Sequence, residues 1–499
     1  MSSYRPVVHS YIVNQLVNIR KGSLILCKLV YYHTHLNFQR NPLSMNIHIQ
    51  FTDRNLQNNA GTSIFSKFLL DRQFINVFKR YGVSVKPNNR ETFSDLNIIQ
   101  SAILLMANGF SNFENIDHLK HDLIIKKILG SQSIPSKETF RQRLDKLSKN
   151  TFVFDLLVNF NLNILKKHSD PKCIKNTDLV PLDFDVSVFD NTGSKKEGVS
   201  QTYKPKIKGF APMFAYLGSQ GYSINMQFRK GSAHSNTAGT LEFITETAFM
   251  SRQLCKDKKL LIRLDSGNDS DKNIIGLTSI PNSHFIVKYQ PRGRNVNEMK
   301  STLTEYVMNN FTRKSVMENG TVRYFAEQKT IAKIINEDDT IHTVECRRIL
   351  SVVEINRDLN TGEELLIPFR SLHMWRTNLP KTKFPPRRIL DLYKDHGTSE
   401  QFHSEFKTDL DLERMPSQKF DTNDLWLHLS QLAFNILRLI GEASIKILNL
   451  DRIRLRLRTV ILKIIYTPCW FTRKNNKWTV FLPRKHPTSH YFEKLMSSF

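Results

Sequence analysis

Acidic side chains are in short supply in this 499-residue sequence. Asp and Glu number 46 against 72 Lys and Arg, a formal net charge of +26. Cysteine is scarcer: Cys27, Cys173, Cys255, Cys346 and Cys469 are odd in number and far apart. No CxxC pair or zinc-type Cys/His spacing occurs, which argues against a zinc ribbon and against a disulfide framework, and fits a reducing cytosol. No stretch approaches the roughly 18 apolar residues that a spanning helix needs, so no membrane partner is expected. Internal repeats and long low-complexity linkers are missing too. The first 44 residues carry short apolar runs, as at 23–32, without the small-residue cleavage site of a signal peptide. Met45 offers a second start, and 1–44 is read as a candidate leader extension.

What is present is a hydrophobic fraction of 40% and an aromatic fraction of 10%, enough for folded cores in more than one domain. Self-repulsion at +26 usually persists because a polyanion neutralises it. Nucleic acid is the first candidate, because each phosphate contacted releases a condensed counterion. A basic membrane-surface helix would need an apolar face, which the alternating run Arg452, Arg454, Arg456, Arg458 lacks; that run reads as a helix or a strand, or as an electrostatic DNA contact.

Helical periodicity fills 60–165, with a strongly apolar helix at 96–106. A Pro-Ser start signal at 135–136 precedes a basic helix bearing Arg141, Arg143 and Lys146, which fits either a DNA contact or an ordinary solvated face. From about 178 the period changes. Strands are expected at 179–187, 213–217 and 222–228, a helix at 237–255, then strands at 260–264 and 284–289. That order is an α/β layer architecture. Alternating stretches over 291–380, with a turn at Asn360-Thr361-Gly362, read as a β-rich insertion. Helices follow at 386–412 and 422–447, and a hairpin closes the chain with arms at 469–472 and 478–482. The expected divisions are 45–175 (helical, DNA-binding), 176–290 (first part of the α/β core), 291–380 (insertion), 381–450 (helical second part) and 451–499 (basic segment).

Three acidic positions stand out. Strand side chains alternate faces, so Asp183 and Asp185 point the same way out of an otherwise apolar strand. Asp265 ends the apolar run 260–264 before a Ser-Gly turn, and the carboxyl end of a strand in an open α/β sheet is where such folds place their sites. Beyond the insertion, Tyr393, His396, Glu400 and Lys407 share one face of an ideal helix, since seven residues turn it by about 700°. Taken singly, each has a structural reading: a turn or cap Asp, a solvated helix face. Together, in a basic α/β chain, they suit phosphodiester cleavage, in which two divalent ions roughly 4 Å apart neutralise the attacking and leaving oxygens. Mg²⁺ takes oxygen ligands and keeps several waters, so a few carboxylates suffice.

At these residues the sequence resembles the DDE transposases of bacterial insertion sequences, whose catalytic domain is RNase H-like. Their signature of Tyr, two residues, Arg, three residues, Glu, six residues, Lys appears as Tyr393, His396, Glu400, Lys407, with His where the family has Arg. The runs 182–187 and 263–267 resemble the strands of the first and second acids, and the former favours Asp185 over Asp183. The stretches 208–213, 229–235, 108–115 and 134–139 also match in order, so the likeness covers about 58 to the carboxyl end. The spacing agrees with an insertion between the second Asp and the Glu: 265 − 185 = 80 residues, but 400 − 265 = 135. The resemblance implies Asp185, Asp265 and Glu400 as ligands of two Mg²⁺ ions, with Mn²⁺ as a substitute. It implies Tyr393, His396 and Lys407 as contacts to the phosphates of the transposon end, with His234 in a structural role nearby. The implied partners are double-stranded DNA, as terminal inverted repeats and target, and a second copy of the chain in a homodimer. The implied setting is the bacterial cytoplasm at the nucleoid. Two other readings share the carboxylate logic: another RNase H-like nuclease, such as a junction-resolving enzyme, and a domesticated relic that only binds DNA. The first gives no reason for the Tyr-to-Lys spacing, and the intact acids argue against the second.

Overall fold

The period-2 runs of the middle third build one large sheet. The computed structural model describes residues 54–499, except 88–91, 234–238, 318–319, 336–338, 359–360, 362 and 475–476. The leader 1–44, Cys27, His234, Asn360 and Gly362 therefore lie outside the described residues. The expected strands form as β1 Leu179–Val186, β2 Met213–Leu217, β3 Tyr222–Gln227, β4 Lys259–Leu264 and β5 Ser283–Tyr289. The segment read as an insertion contributes β6 Arg313–Val316, β7 Val322–Ile335, β8 Ile341–Arg357 and β9 Glu364–Thr377. Among the described residues these nine make a single sheet in the order β6-β7-β8-β9-β5-β4-β1-β2-β3. Strands β1, β4 and β5 run parallel, and the remaining neighbours pair antiparallel. The insertion strands thus continue the core sheet, joined where Met374–Thr377 of β9 lies against Tyr289–Ile286 of β5.

The helices form where the capping chemistry allows. In chain order, α1 Arg72–Arg80, α2 Asp95–Ala107, α3 Leu123–Leu129, α4 Lys137–Leu147 and α5 Thr151–His168 make up the helical first part. Ser94 and Asn97 form a capping box on α2, and the Ser136 hydroxyl accepts from the Thr139 amide at the start of α4, as the Pro-Ser signal predicts. Next come α6 Thr240–Cys255, α7 Asp271–Thr278 and α8 Val296–Asn310. The last two are missing from the sequence reading: α7 is short, and α8 lies inside a segment otherwise rich in strand alternation.

The expected helix 386–412 is interrupted. It forms as α9 Pro386–Lys394, a 3₁₀ turn Asp395–Thr398, α10 Ser399–Ser404 and a π-helical turn Glu405–Asp409. Then α11 Phe420–Leu448 runs through the interior, apolar on almost every side. Its Trp426 is fully buried, edge-on to Phe113 and Phe140. The β2–β3 ladder slips at Ala215/Tyr216. Beside that bulge the amides of Asn435 and Gln431, with Asn161 of α5, bond the backbone of Ser223, since buried backbone groups need partners. Arg54–Phe499 therefore forms one compact unit in which the first helices and α11 share a core. At its end Cys469–Lys474 and Lys477–Phe481 make the expected hairpin, with Asn55–Gln57 as a third strand.

The seat of α10 depends on Gly221. This residue, in the β2–β3 turn, has φ +73°, and a Cβ there would lie 2.2 Å from the ring of Phe402. Gly221→Ala should therefore destabilise the fold by about 2–4 kcal/mol, combining left-handed strain with overpacking, and should displace α10. Urea denaturation checks this; a loss below about 0.5 kcal/mol would mean that Phe402 yields freely.

Candidate active site

The parallel register builds the site. Phe184 lies opposite Leu264, and Leu264 opposite Val287. One step further along each chain come Asp185, Asp265 and Lys288, and Lys288 in turn lies opposite Trp375. Laterally aligned residues share a sheet face at strand spacings of about 4.8 Å, so Asp185, Asp265, Lys288 and Trp375 form one row at the carboxyl ends of β1, β4 and β5. Two residues back, on the same face, Asp183 lies opposite Arg263. Arg263 grips both oxygens of Asp183 at 2.6 Å and also donates to the Leu392 carbonyl at the end of α9. The ring Nδ1 of His396 lies 3.0 Å from the same carboxylate. An ionised carboxylate only accepts, so Nδ1 carries the proton. Burial works against the Asp183 charge, but Arg263 and then His396 hold its carboxyl below the usual range. Asp183 is therefore fully engaged inside the protein, and Asp185 is the acid left facing the cleft.

Burial pushes the Asp185 carboxyl up to about 6; His396 opposes the rise, and Asp265 adds to it. Around it, Ser399 Oγ lies 3.2 Å from Oδ2, and the amide of Val186 donates to Oδ1 at 2.8 Å. The Nε2 of His403 stands 3.4 Å from Oδ2. His403 is buried with neither ring nitrogen hydrogen-bonded, and burial drives its pKa down to about 3, so it is neutral near pH 7. Asp265 is exposed and accepts from the Tyr393 hydroxyl at 2.9 Å. Glu400 is exposed on α10 without an ion-pair partner among the described residues. Helix α10 is fixed on β2 by Phe402 against Tyr216 and by His403 against Phe214. One cleft is lined by Asp185, Asp265 and Glu400 together. The phenol of the exposed Tyr203 is pushed up by partial desolvation and by all three carboxylates, which places it within electrostatic reach of each. Among the described residues, however, no three His, Cys, Asp or Glu side chains converge on a single point as ligands of one ion.

The signature residues part company. Tyr393 and His396 line the cleft with Glu400, but their polar atoms serve Asp265 and Asp183, so both position the acids and neither presents itself as a phosphate contact. Lys407 does not line this cleft. Its ammonium bonds the Val188 carbonyl, lies 3.7 Å from Glu413, and faces a separate cleft with Lys196 and Arg414. The ideal-helix face fails because the 3₁₀ turn before α10 and the π turn at 405–409 each change the rotation per residue. On α4, Arg143 is largely buried against Asp95 at 2.6 Å, which removes it as a DNA contact. Arg141 is exposed but bridges to Glu138 at 2.6 Å. The run 452–458 is neither a long helix nor a strand: it is loop into a short helix, Leu457–Val460. There Arg456 bonds Asp409 and Arg454 lies over the Phe402 ring.

Arg263, Ser399 and His403 went unnoticed in the sequence. Arg263 leaves a readable trace, being a charge inside the apolar strand 260–264 at the same 80-residue offset from Asp183 that separates the two candidate acids. Ser399 and His403 leave none, because their role arises only where α10 meets β1.

Fold and site define an α/β protein with acids at the ends of adjoining parallel strands, facing one cleft. The chain belongs to the transposase DDE domain group 1 family, whose model matches residues 40–499. No curated protein sequence matches it. Among solved structures it is similar to a piggyBac transposase synaptic complex with hairpin DNA, at 10% identity and a TM-score of 0.39, over 82% of this chain and 80% of that one. No helix among the described residues is long and apolar enough to cross a membrane.

The two neighbouring aspartates should respond oppositely to neutralisation. Asp183→Asn strands Arg263 in the interior and should destabilise by about 3–5 kcal/mol. Asp185→Asn removes a desolvated charge. A carboxyl whose folded pKa is raised binds its proton more readily in the native state, so ionised Asp185 weakens the fold above about pH 6. At pH 7 without divalent ions that variant should exceed wild type by about 2–3 kcal/mol, and the gap should close as pH falls through 6 towards 4. Urea denaturation across pH reads both; equal effects of the two substitutions would refute the division of roles.

Proposed function

We propose that this chain is a Mg²⁺-dependent DNA transposase that hydrolyses the phosphodiester bonds at the ends of a mobile element and then joins the freed 3′-hydroxyl to target DNA. The observation that carries the reading is the in-register pair Asp185–Asp265 facing Glu400 across one cleft, in a chain of the DDE family. The strand order β3-β2-β1-β4-β5, antiparallel through β1 and parallel beyond it, supports an RNase H-like core, with β6–β9 as the insertion between the second Asp and the Glu.

The donor set suits a hard divalent cation. All three side chains offer oxygen, and the charge of Asp185, penalised by burial and by Asp265, is one that a cation would relieve. Among the described residues three convergent ligands for one ion are not in place, so the fit is to ions held by pairs of these carboxylates together with water and substrate oxygens. Asp185, Asp265 and Glu400 would hold them, and bound Mg²⁺ supplies neutralisation of charge on the attacking and leaving oxygens. The protein's own work is orientation. Tyr393 fixes Asp265 and Ser399 steadies Asp185, while the Arg263–Asp183–His396 group keeps the strand ends and the 3₁₀ turn in place. Two element ends must be brought together, so the acting form is read as a homodimer on double-stranded DNA.

The test is a labelled duplex carrying the element's end, taken from the inverted repeats flanking the gene, with Mg²⁺ or Mn²⁺. Wild type should cut at the end. Asp265→Asn and Glu400→Gln should each lower the rate roughly a thousandfold, which is several kcal/mol of lost charge stabilisation, with duplex binding retained. Binding without cleavage by wild type in either metal would reduce the protein to a DNA-binding relic. Cleavage unaffected by the two substitutions would place the chemistry elsewhere.

A further inference from the structure

The carboxylate cleft has a second wall, and it is cationic. The lining includes Lys288 of β5, Arg323 of β7 and Lys394 at the end of α9. None has an ion-pair partner among the described residues, in a structure where many other cations do: Arg143, Arg263, Arg347, Arg376, Arg438 and Arg456 are all held by carboxylates. Arg323 is half-buried, and its Nε is enclosed without an acceptor. A guanidinium and two ammoniums left unpaired around one cleft call for an anion from outside.

Their placement follows from the sheet. On the face covered by α9, Ile286, Phe325 and Trp375 pack into one apolar cluster with Ile389 and Leu390. Moving two residues along the same face, β5 passes from Ile286 to Lys288, and β7 from Phe325 to Arg323. The ladder carries both steps towards the carboxyl end of β5, the end at which Asp185 and Asp265 stand. The apolar core therefore gives way to cations obliquely across the sheet, with Lys288 in the acid row and Arg323 two same-face steps beyond that row on β7. We infer that Lys288, Arg323 and Lys394 form a phosphate-binding wall that seats the backbone of the DNA strand to be cut across the carboxylate row. This rests on the transposase reading and reassigns the phosphate contacts from Tyr393, His396 and Lys407. It also gives the insertion a task, because Arg323 reaches the cleft only by way of the β9–β5 junction.

Duplex binding in metal-free buffer tests the wall without relying on cleavage. A duplex of roughly 20 base pairs and arbitrary sequence is titrated, from about 50 to about 200 mM KCl, into three proteins. They are wild type, the triple variant Lys288→Ala, Arg323→Ala, Lys394→Ala, and a control of equal charge change, Lys79→Ala, Arg80→Ala, Lys166→Ala. The wall variant should lower the slope of log affinity against log salt by about 0.9 per contact, roughly 2–3 together, and should weaken binding about tenfold or more. Its urea midpoint should match wild type, and the control should keep the wild-type slope. A wall variant with unchanged slope, a control that falls as far, or a wild type that binds no duplex would each overturn the proposal. Cleavage separates the two readings. Wall-dependent binding by a protein that cuts no element end would leave the wall and remove the transposase assignment. Normal cleavage with wall-independent binding would do the reverse.

Discussion

The Asp183–Arg263 pair sits one row behind the cleft, on two parallel strands that share a single register. Two charges removed from water are tolerable only when they meet in good geometry, and here Nε and Nη2 of Arg263 each donate to a different oxygen of Asp183. A slip of β1 against β4 by one residue would turn Asp183 to the opposite face and leave Arg263 with no counter-charge. The register so held is what sets Asp185 beside Asp265. The same pair ties the helical cover to the sheet, because Arg263 also bonds the Leu392 carbonyl and His396 bonds Asp183. Sheet register and helix position thus converge on one buried ion pair.

From that pair outward, the site is a sequence of supports. The end of α9 brings Tyr393 to Asp265, the 3₁₀ turn drops His396 onto Asp183, and α10 sets Ser399 against Asp185 while leaving Glu400 exposed. Three changes of helical pitch within 386–409 make this possible, since a straight helix could not deliver side chains to three acids on two adjoining strands and also bury Phe402, His403 and Phe406 on β2. The π turn then lets Glu405 meet Arg438 of α11, tying the site to the central helix. The strands β6–β9 take part as well, as a continuation of the same sheet in which β7 borders the cleft.

Much of this was legible in the residues. Leu182-Asp183-Phe184-Asp185 and Leu261-Ile262-Arg263-Leu264-Asp265 announce strands ending in acids, because period-2 alternation and apolar runs are local properties of the chain. The Pro-Ser start of α4, the long apolar helix α11 and the terminal hairpin were equally local. The signature spacing identified Glu400 and Tyr393 as cleft residues. It placed His396 in the same cleft too, but it also grouped with them Lys407, which faces a separate cleft, because a one-face argument assumes constant pitch. Arg143 was misread for a related reason: a basic helix face shows charge, while its partner Asp95 lies 48 residues away in sequence.

The sequence by itself therefore determined the elements, the basic character of the chain and the identity of its candidate acids, since each follows from short-range pattern or composition. Only the tertiary structure decided that Asp183 is consumed by an ion pair, which cations remain unpaired, and that the strands within 313–377 join the sheet of the acids. The first and last of those outcomes depend on pairing between residues 80 or more positions apart, and the second on ion pairs between elements distant in sequence. Burial then makes each unsatisfied charge costly, so the fold neutralises the charges it encloses and leaves uncompensated those that line the cleft.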